Sequence, residues 1–293
     1  MMQEKTLGVF TRFEDLDPIE RKLVKGTWDV AENAYVPRSK FPVGSVLLVQ
    51  NDQGDKRLFS GCNVENRFFP PTICAERNAM TTAVAAGYRK LLRAALVLKN
   101  YQGPGASPCG VCRQVLVEFG CDAVMFNMAD KQCNVHKFLV CDLLPAASGE
   151  KVPFEQLPGQ TKRLVKRLES LRQKSYVPYS KAPHAAMFIA TNGNNATRQF
   201  IGVSDDNASY GASALAETVA MRAARTAGYD RNVTLAVMVD DALAHNPIDG
   251  ACLQVLREFG ENAKVLLVGN DRCVVHSNVD ELLPDSFGPQ SLV

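Results

Sequence analysis

The stretch CAERNAM, residues 74–80, returns 141 positions later as LAETVAM, residues 215–221, with the glutamate kept and the cysteine replaced by leucine. The likeness spreads outward from there. YVPRSKFPVG (35–44) matches YVPYSKAPHA (176–185), and AAGYRK (85–90) matches TAGYDR (226–231), both at that same spacing. GVCRQVLVEFG (110–120) matches GACLQVLREFG (250–260) at a spacing of 140, so one residue has been lost between blocks. CNVH (133–136) pairs with CVVH (273–276), and DLLP (142–145) with ELLP (281–284). The blocks keep their order, which makes the chain a duplicated domain. The expected division is a first copy at 1–147, a linker at 148–160 within the Gly- and Pro-bearing AASGEKVPFEQLPGQ, and a second copy at 161–293.

Each copy reads as alternating helices and strands. Asp17 is placed to cap an opening helix with Pro18 in its first turn, and Thr161 to cap its counterpart. VGSVLLVQ (43–50) and RLFSGCNV (57–64) have strand character, as do AAMFIAT (185–191) and RQFIGVS (198–204). Segment 74–86 has helical apolar spacing, RAALVLKN (93–100) reads as a buried strand, 109–119 as a helix and AVMFNM (123–128) as a strand. This alternation predicts the α/β class and a three-layer α/β/α sandwich in each copy, with both cysteine motifs at helix N-termini.

The bulk properties exclude several functions. With 33 Lys and Arg against 31 Asp and Glu, a net charge of +2 gives no long-range attraction to a polyanion, so no nucleic-acid partner is expected. The basic stretch TKRLVKRLESLRQK (161–174) carries Leu164, Val165, Leu168 and Leu171 at helical spacing and reads as a solvated helix face. No uncharged run approaches the roughly 20 residues a bilayer requires, and the opening residues lack a signal-peptide pattern. Nine cysteines, an odd count, suit reduced thiols or metal ligands better than a disulfide framework, so the expected compartment is the cytoplasm.

Cys74, Cys109 and Cys112 are the candidate metal ligands. Three protein ligands with one open position is the pattern of catalytic Zn²⁺, whereas structural zinc is closed by four. Helix N-termini favour the thiolates that a metal needs. Glu76, two residues from Cys74, is placed to move protons at the site without ligating. Arg77 is placed to donate to a ligand sulfur and to offset the charge of three thiolates.

The segments CAER (74–77) and PCGVCRQ (108–114), with GCNVEN (61–66) and YVPRSKFPVG, resemble the cytidine deaminase family, and the Cys-first, Arg-following form resembles its short-chain homotetrameric branch. The resemblance covers nearly the whole chain. It implies the deaminase α/β/α fold with a mixed central sheet, one zinc per chain, and hydrolytic deamination of cytidine and deoxycytidine to uridine or deoxyuridine in pyrimidine salvage. It implies Glu76 as the proton carrier, Phe41 against the pyrimidine, and the Asn63–Val64–Glu65 segment on the ribose. Another small cytosine-bearing compound is the alternative substrate; a nucleic-acid editor is the more distant one.

In the second copy Phe41 is replaced by Ala182, Asn63 by Ser204, Glu65 by Asp206, Cys74 by Leu215 and Cys109 by Asp249. Only Cys252 and Glu217 remain of the metal set, so the second copy is expected to be degenerate and metal-free, with Glu217 bonded to nearby backbone or to a unit interface. It retains Tyr210 and Phe287, which match the residues that sites of the short-chain branch borrow from neighbouring subunits. The expectation is a homodimer that imitates a tetramer, with no membrane partner and a small nucleoside as ligand.

Overall fold

The apolar run after YVPRSKFP forms β2 (Val43–Gln50), whose residues Gly44 to Val49 are all buried. Burial of successive residues means that both faces of the strand are covered. It pairs antiparallel with β3 (Lys56–Cys62) on one side and β4 (Lys90–Leu98) on the other. Next to β4 runs the parallel strand β5 (Val124–Met128), followed by antiparallel β6 (Val135–Leu139) and the short β1 (Val9–Thr11). The order β1-β6-β5-β4-β2-β3 is a mixed six-stranded sheet. This structure, a computed structural model, describes residues 8–101, 107–229, 232–240 and 249–292. Asp230 and Arg231 of the TAGYDR block, and the first seven residues of the opening segment, lie outside the described residues.

Two glycines fix which face each helix covers. A Cβ on Gly44 would lie 2.0 Å from the Thr27 carbonyl oxygen of α1 (Pro18–Ala31). One on Gly61 would lie 2.4 Å from the Ala79 nitrogen of α2 (Ala75–Ala85). Gly61 pairs with Ser45, the neighbour of Gly44, and successive strand residues face opposite ways. The two helices therefore cover opposite faces, and α3 (Gly110–Gly120), which touches α2, shares the α2 face. The result is three layers, α/β/α.

The second unit has the same plan: β7 (Lys151–Pro153), α4 (Gly159–Arg172), β8 (Ala185–Thr191), β9 (Thr197–Val203), α5 (Ala216–Thr226), β10 (Asn232–Val239), α6 (Gly250–Phe259), β11 (Lys264–Val268), β12 (Cys273–Asn278) and α7 (Val279–Leu282). Its sheet order, β7-β12-β11-β10-β8-β9, repeats the first, with β10 and β11 as the parallel pair. Val165 and Leu168 are buried on α4, whose Arg163, Lys166 and Arg167 are exposed, whereas Lys162 and Arg172 are half-buried.

Three details differ from the sequence reading. Residues 1–144 and 285–293 form one compact unit and residues 145–284 the other. Residues 148–160 are not a free linker: β7 pairs Val152 with Val274 of β12, and Phe154 and Leu157 are buried. These apolar side chains outweigh the loop-like composition around them. Asp17 caps α1 as expected, in a capping box with Glu20, but Thr161 lies inside α4, and Pro158 is the N-cap with no side-chain bond. Lys162 N–H donates to the Pro158 carbonyl at 3.0 Å, so the helix begins a turn earlier than the threonine suggests.

Candidate active site

Cys74 is the N-cap of α2 and Cys109 the N-cap of α3, both in extended conformation, and Cys112 is fully buried in the first turn of α3. The loop before Cys74 is stitched in place by Val64, whose N–H and carbonyl pair with Ile73 at 3.0 and 3.1 Å. The Cys74 and Cys109 sulfurs lie 3.9 Å apart, and all three sulfurs lie within 4.8 Å of one another. Two thiolates at about 2.3 Å from a tetrahedral zinc sit roughly 3.8 Å apart, so the cluster fits this ion.

Cys112 and Cys74 donate to Cys109, and the Cys112 and Val111 N–H groups of the helix start add to them, which holds the Cys109 thiol well below its ordinary pKa. Donation to Cys109 pushes Cys74 and Cys112 well above theirs. One negative charge is thus focused where the two helix starts converge.

Glu76 sits in the first turn of α2 with 3% of its surface exposed. Burial, and then the Cys109 charge, raise its pKa to about 7; its own backbone N–H, the Cys112 thiol and the charge of Arg77 oppose the rise. A carboxyl poised near neutral pH can both accept and donate a proton. Arg77 is half-buried and makes no hydrogen bond to a cysteine sulfur; it acts on Glu76 through its charge.

Asn63 and Glu65 shape the approach. Asn63 Oδ1 accepts from Val43 N–H at 2.9 Å and its Nδ2 donates to the Phe41 carbonyl at 2.9 Å, so this side chain fixes the entry to β2. Glu65 is buried and accepts from the Arg38 and Ser39 N–H groups at 2.9 and 3.2 Å. Burial works against its charge, but hydrogen bonds from Ser39 and Arg38 win and hold the carboxyl below its ordinary range. Phe41 packs against Phe287, ring centroids 5.9 Å apart and tilted by 59°. Both belong to the first unit, because the tail after Pro284 packs there.

In the second unit Leu215 and Asp249 are the N-caps where the first has cysteines. Glu217 is fully buried, and besides its own backbone N–H it meets two side chains. His184 Nε2 approaches Oε1 at 2.8 Å as an ion pair, off the line of a hydrogen bond, and Cys252 Sγ donates to Oε2 at 2.9 Å. The expected backbone bond is thus joined by two side-chain partners outside that expectation. His184 is the residue the sequence reading missed; it stands where the first copy has Val43 within the matched decapeptides, and that substitution was its only signal. Tyr210 is 74% exposed, its ring 5.9 Å from Tyr179.

Arg113 was also passed over. It is fully buried in the first unit, donating from Nε to the Pro108 carbonyl at 2.9 Å, from Nη1 to the Leu143 carbonyl at 2.7 Å and from Nη2 to Ser107 Oγ at 2.8 Å. Its counterpart is Leu253.

Residues 19–128 match the profile of the cytidine and deoxycytidylate deaminase zinc-binding region. The chain is 40% identical over 126 residues to the cytidine deaminase of Sporosarcina psychrophila, covering 43% of this chain and 88% of that protein. It is 39% identical over 127 residues to the cytidine deaminase of Mycobacterium tuberculosis H37Rv, covering 43% and 87%. A crystal structure of cytidine deaminase from Burkholderia pseudomallei is 38% identical, covering 43% of this chain and 95% of that one with a TM-score of 0.38. These relatives are about half as long as this chain.

Proposed function

Because the chain belongs to the cytidine deaminase family, we propose that it hydrolyses cytidine, and deoxycytidine with it, to the corresponding uridine nucleoside and ammonia in pyrimidine salvage. The observation that carries the reading is a buried glutamate with a pKa of about 7 beside three converging thiols. Cys74, Cys109 and Cys112 would hold zinc, which supplies Lewis-acid activation of the attacking water. Glu76 takes a proton from that water and passes it to ring N3 as the hydroxyl adds to C4. It then takes the proton of that new hydroxyl and hands it to the amino group, so C4 becomes a carbonyl and ammonia leaves with no net change at the carboxyl.

Binding follows from the residues around the cluster. The Phe41 and Phe287 rings give the base an apolar wall. Glu65, held ionised, offers carboxylate oxygens to ribose hydroxyls, and Asn63 keeps one amide N–H free for the same purpose beyond its two backbone bonds. Val64 fixes the spacing between them. In this reading the first copy is the catalytic one and the second supplies aromatic residues. Tyr210, exposed in the second unit, is offered to a neighbouring chain's site, so the working form is a homodimer. All nine cysteines are free thiols, which suits a reducing cytoplasm. Among the described residues no helix is long and apolar enough to cross a membrane.

The test is loss of ultraviolet absorbance from free cytidine and deoxycytidine with purified protein. Turnover of both at similar efficiency is expected. Activity confined to a polynucleotide, or none on either nucleoside, would overturn the assignment.

A further inference from the structure

Glu217 has no part in the chemistry above, yet a buried carboxylate is expensive to keep unless something balances it. We propose that the His184–Glu217–Cys252 cluster is a proton-binding site, in which a proton on His184 takes the place that a metal ion takes in the first copy. The proposal rests on zinc belonging to the first copy.

The donor types alone would also suit a metal, since an imidazole, a carboxylate and a thiol converge within 4.8 Å. The distances decide between the two. On a tetrahedral zinc with bonds of about 2.0 Å to nitrogen and oxygen and 2.3 Å to sulfur, the nitrogen and oxygen ligands sit roughly 3.3 Å apart and the sulfur and oxygen roughly 3.5 Å. Here Nε2 and Oε1 are 2.8 Å apart, and Sγ and Oε2 2.9 Å, with each carboxylate oxygen taken by a different partner. These are direct contacts with no room for an ion between them. The first copy's sulfurs, 3.9 Å apart, show the opposite geometry. Leu215, standing where Cys74 supplies a ligand in the first copy, removes one donor.

The charges point the same way. Glu217 on α5, Asp249 at the start of α6 and Asp240 at the end of β10 all favour the imidazolium, against the burial that opposes it, and raise the His184 pKa. The neutral Cys252 thiol on α6 completes the surroundings. Glu217, though buried, is held low by the His184 charge and then by the Cys252 thiol, whereas Glu76, with no imidazole beside it, rises to about 7. The raised histidine contributes stability that is full below its unfolded pKa of about 6.5 and lost as pH rises through its folded value. The lowered glutamate contributes stability that is full above about 4.3 and lost as pH falls through its folded value. The pair is therefore strongest between about pH 4.3 and 6.5.

The experiment uses the full chain and its His184→Val and His184→Gln variants. His184→Val restores the first copy's residue. At pH 6 each variant should melt roughly 5–10 °C below wild type, a gap that narrows toward pH 9, with zinc per chain unchanged. A gap of constant size across this range would overturn the proposal, as would loss of a metal equivalent in either variant. The wild-type histidine ring resonances give a readout independent of the variants' stability. Of the four histidines, the one whose ring faces Glu217 by nuclear Overhauser contact should titrate above the ordinary histidine value of about 6.5, and titration at or below that value would overturn the proposal. Failure of the zinc reading is distinguishable, because this titration is read whether or not the first copy carries metal.

Discussion

Phe287→Ala removes one of the two rings that face each other at 5.9 Å in the first unit. If the ring covers the base, its loss weakens nucleoside binding by the worth of one base–aromatic contact, about 1 to 3 kcal/mol. At about 1.4 kcal/mol per decade this raises KM roughly 5- to 150-fold. The same ring is half-buried against the first unit's core. Truncating a fully buried phenylalanine costs about 3–5 kcal/mol, so this one should cost about half as much, a melting decrease of roughly 5–10 °C. Phe287→Leu separates the two effects, because it keeps most of the volume and loses the aromatic face. Steady-state kinetics on cytidine with parallel melting curves should show both variants with raised KM, near-normal kcat and unaltered zinc, and only the alanine variant with the full loss of stability. Unchanged KM in both, beside a lowered melting temperature for alanine, would reduce the tail to packing.

Glu76→Gln should retain zinc and fold but lose on the order of 10²- to 10⁴-fold in kcat or more, since one carboxyl serves several proton transfers, whereas Glu217→Gln should leave kcat near wild type. Stripped of metal, Glu76→Gln should also melt above wild type at pH 8, because a carboxyl whose pKa is raised to about 7 by burial weakens the fold as pH climbs past its unfolded value of about 4.3. Arg113→Lys replaces a fork that grips three oxygens with a single ammonium; zinc release to a chelator should quicken about 10- to 100-fold, while Arg113→Leu, the second copy's own solution, should lose both zinc and stability.

Much of this fold was legible because its signals are local. The run VGSVLLVQ became β2 residue for residue, and the two helix starts fell where cysteine motifs replace ordinary caps. The thiol cluster and Glu76 were legible because metal ligation imposes spacing on the chain. What escaped depends on side chains meeting from distant segments. Glu217 on α5 and Cys252 on α6 follow from the repeat spacing, but His184, from the edge of β8, joins them only in three dimensions. Arg113 was hidden because burial of a guanidinium against backbone carbonyls leaves no pattern in sequence. The supposed linker failed for a related reason: Val152, Phe154 and Leu157 acquire meaning only beside β12 and the second core, which composition does not register.

The central claim is that duplication has left one metal-bearing, working copy per chain. It is tested most directly by counting zinc against protein in the purified full-length chain. The account predicts one zinc per chain, lost on Cys112→Ala and unaffected by Cys252→Ala. Two per chain, or one that disappears with Cys252→Ala, would contradict it.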